Sequence, residues 1–196
     1  MKLHERLPDA VTVDGKRYRV DLDFRNVLRM IDALGREDML PVAREYVALK
    51  CVMKRPPRNT GAAIAALREM LFPGGKKQSG EKMTDFVQDA DLIRAAFLQA
   101  YGINLYRDRL HWLEFTGLLA CLPTGSRYAD ILSIRARPMP KPTKYNGEER
   151  KWLAEAKAKF AVRLTDKEMA DSLQMSLHST TLSLLALAQK GGGADV

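Results

Sequence analysis

The stretch Val11-Thr-Val-Asp-Gly-Lys-Arg-Tyr-Arg-Val20 constrains the fold more than any other part of the chain. Apolar and polar residues alternate on both sides of Asp14-Gly15, a dipeptide that accepts the positive φ angles of a two-residue type I′ turn. Such a turn sets Val13 opposite Lys16 and Val11 opposite Tyr18. Val11, Val13, Tyr18 and Val20 then share one face, with Thr12, Arg17 and Arg19 on the other. A two-stranded ribbon is marginal in water, so the apolar face must rest on another element. The helix that follows directly is the expected support.

Asp23 is suited to N-cap that helix, in which Phe24, Val27, Leu28, Ile31 and Leu34 recur at helical spacing until Gly35. Pro41 opens a second helix, expected to turn Val42, Tyr46, Leu49 and Met53 inward, and Pro56-Pro57 ends it. Asn59 or Thr60 caps a third through Ile64, Leu67 and Leu71, broken at Phe72-Pro-Gly-Gly75. A fourth is expected from Asp85 to Tyr101, with Ile93, Phe97 and Tyr101 on one stripe and Gly102 at C′. Asp108 to Leu122 and Arg127 to Ala136 read as two more. The prolines at 138, 140 and 142 forbid helix and favour an extended linker. Beyond it come a charged helix from Gly147 to Val162 and a capping box at Thr165–Glu168. The latter opens a stripe of Leu173, Leu177, Leu184 and Leu187, which frays at Gly191-Gly-Gly193.

The expected fold is therefore mainly α: an N-terminal β-hairpin packed on a multi-helix bundle, with a C-terminal helical extension after a Pro-rich linker. The expected divisions are a core domain over 1–137, a basic linker over 138–146 and an extension over 147–196. Hydrophobic residues make up 46% of the 196, enough for a packed core, and only 7% are aromatic, in keeping with helix over sheet. The nine methionines sit mostly in these apolar stretches, as core gap-fillers.

Several chemistries find no support. Cys51 and Cys121 form no CxxC, and His4, His111 and His178 are scattered, so no zinc site is assembled. Both cysteines are expected as buried, reduced thiols, and no cofactor is implied. Gly75 to Gly80 has P-loop spacing, but Glu81 follows where Lys is required, and no apolar strand precedes. GGKKQSGEK reads instead as a polar loop. The amino terminus lacks a signal-peptide core, and Leu184–Ala188 is far short of the roughly 20 apolar residues that span a bilayer. A soluble intracellular protein is the expectation.

His111-Trp112 is the one pair that invites an active-site reading. His111 has Asp108 and Glu114 three residues away on either side, but Cys121 is nearly three helical turns distant and no Gly-x-Ser-x-Gly elbow occurs. Trp112, Phe115, Leu119 and Leu122 share one helix face, which makes the pair a packing centre with the Ile93/Phe97/Tyr101 stripe opposite. The expected anchors are Phe24, Ile93, Phe97, Tyr101, His111, Trp112 and Phe115, with no catalytic and no metal-binding residues.

Charge supplies the other candidate. Of the chain's net +8, residues 134–163 contribute +6, from nine Lys/Arg against three Glu. Arg135, Arg137, Lys141 and Lys144, taken as linker residues, are the expected contacts for an anionic partner. Only Tyr145 and Trp152 interleave with these cations, and no helix-turn-helix or RNA-recognition signature appears, so nucleic acid stands behind a solvated face or an acidic protein.

Three ordered blocks carry a resemblance. LP-x-x-V-x-V-x-G-x-x-Y-x-V-x-x-D-F-R runs from Leu7 to Arg25, D-x-x-x-D-x-x-x-I-x-A-A-F-x-x-x-Y-G-I from Asp85 to Ile103, and H-W-x-x-F-x-x-L-L-x-x-L from His111 to Leu122. Together they resemble the bacteriophage gene-product-fifteen family of tail-module proteins, over about Leu7 to Arg137. Asn104 and Leu113 stand where that family commonly has Asp and Trp, and the chain after Pro138 follows no pattern matched to it. The resemblance implies a non-enzymatic tail assembly chaperone in the host cytoplasm, coating the tape-measure protein and recruiting tail-tube subunits. A structural virion component and a nucleic-acid binder remain the alternatives, and self-association into a homo-oligomer is open under each.

Overall fold

The computed structural model describes residues 4–72 and 83–163. The 74–82 loop, the Thr165–Glu168 capping box, the Leu173–Leu187 stripe and the terminal glycines lie outside the described residues. Among the described residues there are two strands and seven helices, and the protein is mainly α with an N-terminal hairpin. No helix among them is long and apolar enough to cross a membrane. The chain divides into two compact units: one of residues 1–81 and 89–133, the other of 82–88 and 134–196.

In the first unit, β1 (Ala10–Val13) and β2 (Lys16–Arg19) pair antiparallel, with Val11 opposite Tyr18 and Val13 opposite Lys16. Asp14 and Gly15 both have positive φ, at 49° and 74°, as a type I′ turn demands. Val11, Val13 and Val20 are buried, whereas Thr12, Arg17 and Arg19 are exposed.

The support differs from the expected one. β1 packs against α3 (Thr60–Leu71), and the helix next in sequence is not its main neighbour. Asn59 explains the choice. Its Oδ1 caps α3 by accepting from the Ala62 N–H, while its Nδ2 donates to the Asp14 carboxylate at 3.2 Å. One side chain therefore joins the hairpin turn to the start of α3.

α1 (Phe24–Leu34) is capped by Asp23, which accepts from the Arg25 N–H. Gly35 ends it in a right-handed conformation (φ −77°), so the stop does not use the left-handed freedom of glycine. α2 (Pro41–Val52) packs on α1 and α3. Its predicted stripe is half covered. Leu49 and Met53 are buried, but Val42 is 70% exposed and Tyr46 46%, contrary to expectation.

α4 (Ala90–Tyr101) begins five residues later than the Asp85 start read from sequence. The Asp85 side chain accepts from the Val87 and Gln88 N–H groups and holds a turn there instead. Gly102 closes α4 in the left-handed region (φ 68°), as a C′ glycine does. α5 (Trp112–Ala120) also starts late, with His111 as its N-cap in place of a position on its face. Cys121 caps the other end and is exposed, while Cys51 is half-buried, so neither is the fully buried thiol expected. α6 (Arg127–Ala136) follows; Tyr128 and Ile131 on it are buried.

The second unit holds the end of α6, the proline segment and α7 (Gly147–Phe160), whose Leu153 is fully buried. The linker is tied down by polar contacts. Asn146 accepts from the Thr143 N–H and donates to the Lys141 carbonyl, both at 2.8 Å, and Arg150 donates to the Pro140 carbonyl.

Candidate functional site

The anchors read from sequence converge where the N-termini of α1 and α5 meet. Phe24, Phe97 and Phe115 stack nearly parallel, with Phe115 between the others at centroid distances of 4.7 and 5.3 Å. Trp112 adjoins Phe115 at 5.9 Å and meets Phe72 edge-on at 5.8 Å. Its indole N–H donates to the Leu71 carbonyl, so the buried ring leaves no unsatisfied donor. Ile93 is buried, and Tyr101, half-buried, crosses to α5 by donating its hydroxyl to the Leu118 carbonyl at 2.8 Å.

Backbone pairing fixes the approach of the two helix starts. Phe24 N–H donates to the Leu110 carbonyl at 3.0 Å and Trp112 N–H to the Leu22 carbonyl at 2.8 Å, a single antiparallel bridge between Asp23 and His111. Both N-caps thus sit side by side.

His111 is fully committed there. Its Nδ1 accepts from the Leu113 N–H at 3.2 Å, and its Nε2 lies 3.1 Å from the Pro8 carbonyl oxygen. A carbonyl can only accept, so the ring is the Nε2–H tautomer with a lone pair on Nδ1. The Glu114 carboxylate accepts from the His111 backbone N–H, making the cap reciprocal. Asp108, considered from spacing as a partner for His111, instead accepts from the Asn104 N–H.

An ion cluster flanks this bridge. Asp23 is buried and accepts a two-pronged contact from Arg25, Nε to Oδ1 at 2.9 Å and Nη2 to Oδ2 at 3.1 Å. Arg109 adds Nε to Asp23 Oδ2 at 3.1 Å and reaches both oxygens of Asp21 at 3.0 Å. Arg25 also donates to the carbonyls of Tyr106 and Asp108. Burial pushes the Asp23 carboxyl up, but the hydrogen bonds and charge of Arg25, with the Arg109 bond, outweigh it and hold the group below its usual value of 3.8. The guanidinium of Arg25 is correspondingly raised by its bond to Asp23, and that of Arg109 by its bonds to Asp21.

Leu7, Pro8, Val20, Asp21, Arg109 and His111 border a shallow cleft of about 240 Å³ over this cluster. The ionisable groups that line it are bonded within the protein: Asp9 to Arg17, Asp21 and Asp23 to Arg109, and His111 to Leu113 and Pro8. Among the described residues no three His, Cys, Asp or Glu side chains come together as a metal site would require. Arg25 and Arg109 were not singled out from sequence. The signal available was the Asp-Phe-Arg triplet at the end of the first block, which supplies cap, ring and cross-tie in succession.

In this geometry the first and third blocks are the two halves of one clasp. Comparison with protein families bears on the whole described body. A family model described as Bacteriophage Gp15 protein matches residues 3–162. The chain belongs to that family. The match runs through the proline segment and α7, so the sequence reading that ended the resemblance near Arg137 stopped too early. Membership marks the Gp15 chain as a phage structural or assembly protein. Comparison with curated proteins and with solved structures found no match.

The four cations read as anionic-partner contacts are not brought together as a free set. Arg135 lies in α6, not on the linker, and is 7% exposed. Its Nε donates to the Phe160 carbonyl at 2.6 Å and its Nη1 to the Met83 carbonyl at 2.8 Å, while Lys157 bonds its own carbonyl. A long side chain whose donors are spent on the carbonyl at the end of α7 has little left for a partner. Arg137 is exposed and paired with Glu149 at 2.6 Å. Lys141 and Lys144 are exposed, with no carboxylate paired to either among the described residues.

Proposed function

We infer that this Gp15 chain is a non-enzymatic tail assembly protein, acting as a chaperone that binds the tape-measure protein and helps recruit tail-tube subunits in the host cytoplasm. One observation carries the non-catalytic part. Three chemistry-bearing residues of the first and third blocks, Asp23, Arg25 and His111, are consumed in capping and cross-tying two helices. A general base or nucleophile must instead keep a lone pair directed at substrate. The assembly part rests on family membership, and the tape-measure partner on what the tail-module resemblance implies.

Nucleic-acid binding through the linker cations loses ground, because of Arg135, Arg137, Lys141 and Lys144 the two arginines are engaged within the second unit. Trp152 offers little as a stacking platform, since Glu148, Glu149 and Glu155 lie three or four residues from it on α7.

Co-expression with the tape-measure protein of the same tail module, followed by affinity pull-down, tests the reading. A stable complex, together with absence of the chain from purified virions by mass spectrometry, is the expected result. Stoichiometric presence in the virion would make it a structural component instead.

A further inference from the structure

The half-covered stripe of α2 has a use that the clasp does not supply. Val42 and Leu49 are seven residues apart, about two helical turns, and so lie on nearly the same face. Leu49 is fully buried, while Val42 at 70% and Tyr46 at 46% stand in solvent. With Leu40, which is 78% exposed, and Pro56 and Pro57, they line an open groove of about 490 Å³. A core stripe that continues into water is an unpartnered apolar surface.

The rim of this groove is basic. From Glu45 to Glu69 the sequence has five cations, Lys50, Lys54, Arg55, Arg58 and Arg68, against two carboxylates, one at each end. Arg58 lines the groove, and the Lys50 ammonium lies 5.8 Å from the Tyr46 ring centre. Lys54, Arg55 and Arg58 pair with no carboxylate among the described residues. Glu45 on α2 is held beside the groove, its carboxylate accepting from the hydroxyl of groove-lining Thr60 at 2.5 Å, and it offsets only part of this positive charge. Apolar floor and net positive rim together select a complementary ligand.

We propose that the groove formed by Leu40, Val42, Tyr46, Pro56 and Pro57 is a docking site for an acidic amphipathic helix of a partner protein. Two apolar side chains one turn apart fill the groove, and flanking Glu or Asp residues meet Lys50, Lys54, Arg55 and Arg58. The proposal rests on the reading that the chain works by binding another protein, and it adds where and with what chemistry.

The test uses the full chain and a fluorescein-labelled peptide about four helical turns long, with Leu at i and i+4 and Glu flanking. Its counterpart carries Lys for every Glu. Saturable anisotropy is expected with the Glu peptide, weakening as salt rises, and binding about tenfold or more weaker with the Lys peptide. Val42→Glu and Leu40→Glu remove only exposed side chains, so both variants keep the wild-type melt and lose Glu-peptide binding. Equal binding of both peptides, no binding of the Glu peptide, or binding unchanged in Val42→Glu overturns the proposal. So does concentration-dependent self-association that Val42→Glu abolishes, because a second copy would then occupy the groove. Pull-down of the tape-measure protein separates the two readings. If wild type and Val42→Glu both capture it, the groove assignment fails and the chaperone reading stands. If the Glu peptide binds but wild type captures no tape-measure protein, the groove stands and the chaperone reading fails.

Discussion

Replacing His111 by Ala, Asn and Gln in turn tests whether the histidine is a cap or a reactive group. Alanine removes both ring contacts, the Nδ1 acceptor for Leu113 N–H and the Nε2 donor to Pro8. An N-cap acceptor is worth about 0.5–2 kcal/mol and a neutral hydrogen bond about 0.5–1.5 kcal/mol, so His111→Ala should cost about 1–3 kcal/mol. Asparagine carries an oxygen where Nδ1 sits and keeps the cap, but is too short for Pro8, so about 0.5–1.5 kcal/mol is lost. Glutamine reaches Pro8 and forfeits the cap, which costs about 0.5–2 kcal/mol. The expected order of stability is wild type first, then Asn and Gln, with Ala last. Urea unfolding followed by tryptophan fluorescence reads this directly. Trp152→Phe is placed in every variant, so that buried Trp112 reports on the first unit alone. Equal losses for Ala and Asn would refute the capping account. A stable, well-folded Asn variant with no assembly activity would show instead that the ring does something beyond holding the helix.

Three further outcomes follow from the same geometry. Phe115→Ala removes the middle ring of the stack, which is 1% exposed, and should cost about 3–5 kcal/mol in the same unfolding assay; a loss below about 1 kcal/mol would mean that the stack is not the centre of the first unit. Because the folded Asp23 carboxyl titrates below its unfolded value of 3.8, its contribution is fully present above that value and is lost as pH falls through the lower folded one. Asp23→Asn should therefore lower stability at neutral pH and flatten the acid limb of a stability–pH curve, and an unchanged limb would count against the ion cluster. In the second unit, Arg135→Ala should lower the unfolding free energy, since it strips the Phe160 and Met83 carbonyls of a donor, whereas Lys141→Glu with Lys144→Glu should leave it unchanged within about 0.5 kcal/mol. Equal effects of the two changes would restore Arg135 to the free cations.

Local signals in the sequence were enough for the hairpin register, the Asp23 cap, the Pro41 start and the Gly102 stop, and narrowed the cap of α3 to Asn59 or Thr60, because each depends on a few neighbouring residues and their φ preferences. Periodicity also identified the aromatic residues that stack. It misread the starts of α4 and α5, where Asp85 and Asp108 bond backbone N–H groups of their own turns and delay the helix. Only then does His111 become a cap, a role that spacing along a supposed helix face could not reveal. Arg25 and Arg109 were invisible as a pair, since 84 residues separate them and only the Asp23–His111 bridge brings them together.

What the sequence by itself determined is which segments are helix or strand and which of their faces are apolar, because backbone preference and side-chain period are properties of short stretches. Tertiary structure alone decided how far each apolar face is covered. The stripe of α2 is one pattern in sequence, yet Leu49 meets neighbouring helices and Val42 meets water. Burial depends on what other elements reach, and no periodicity records that.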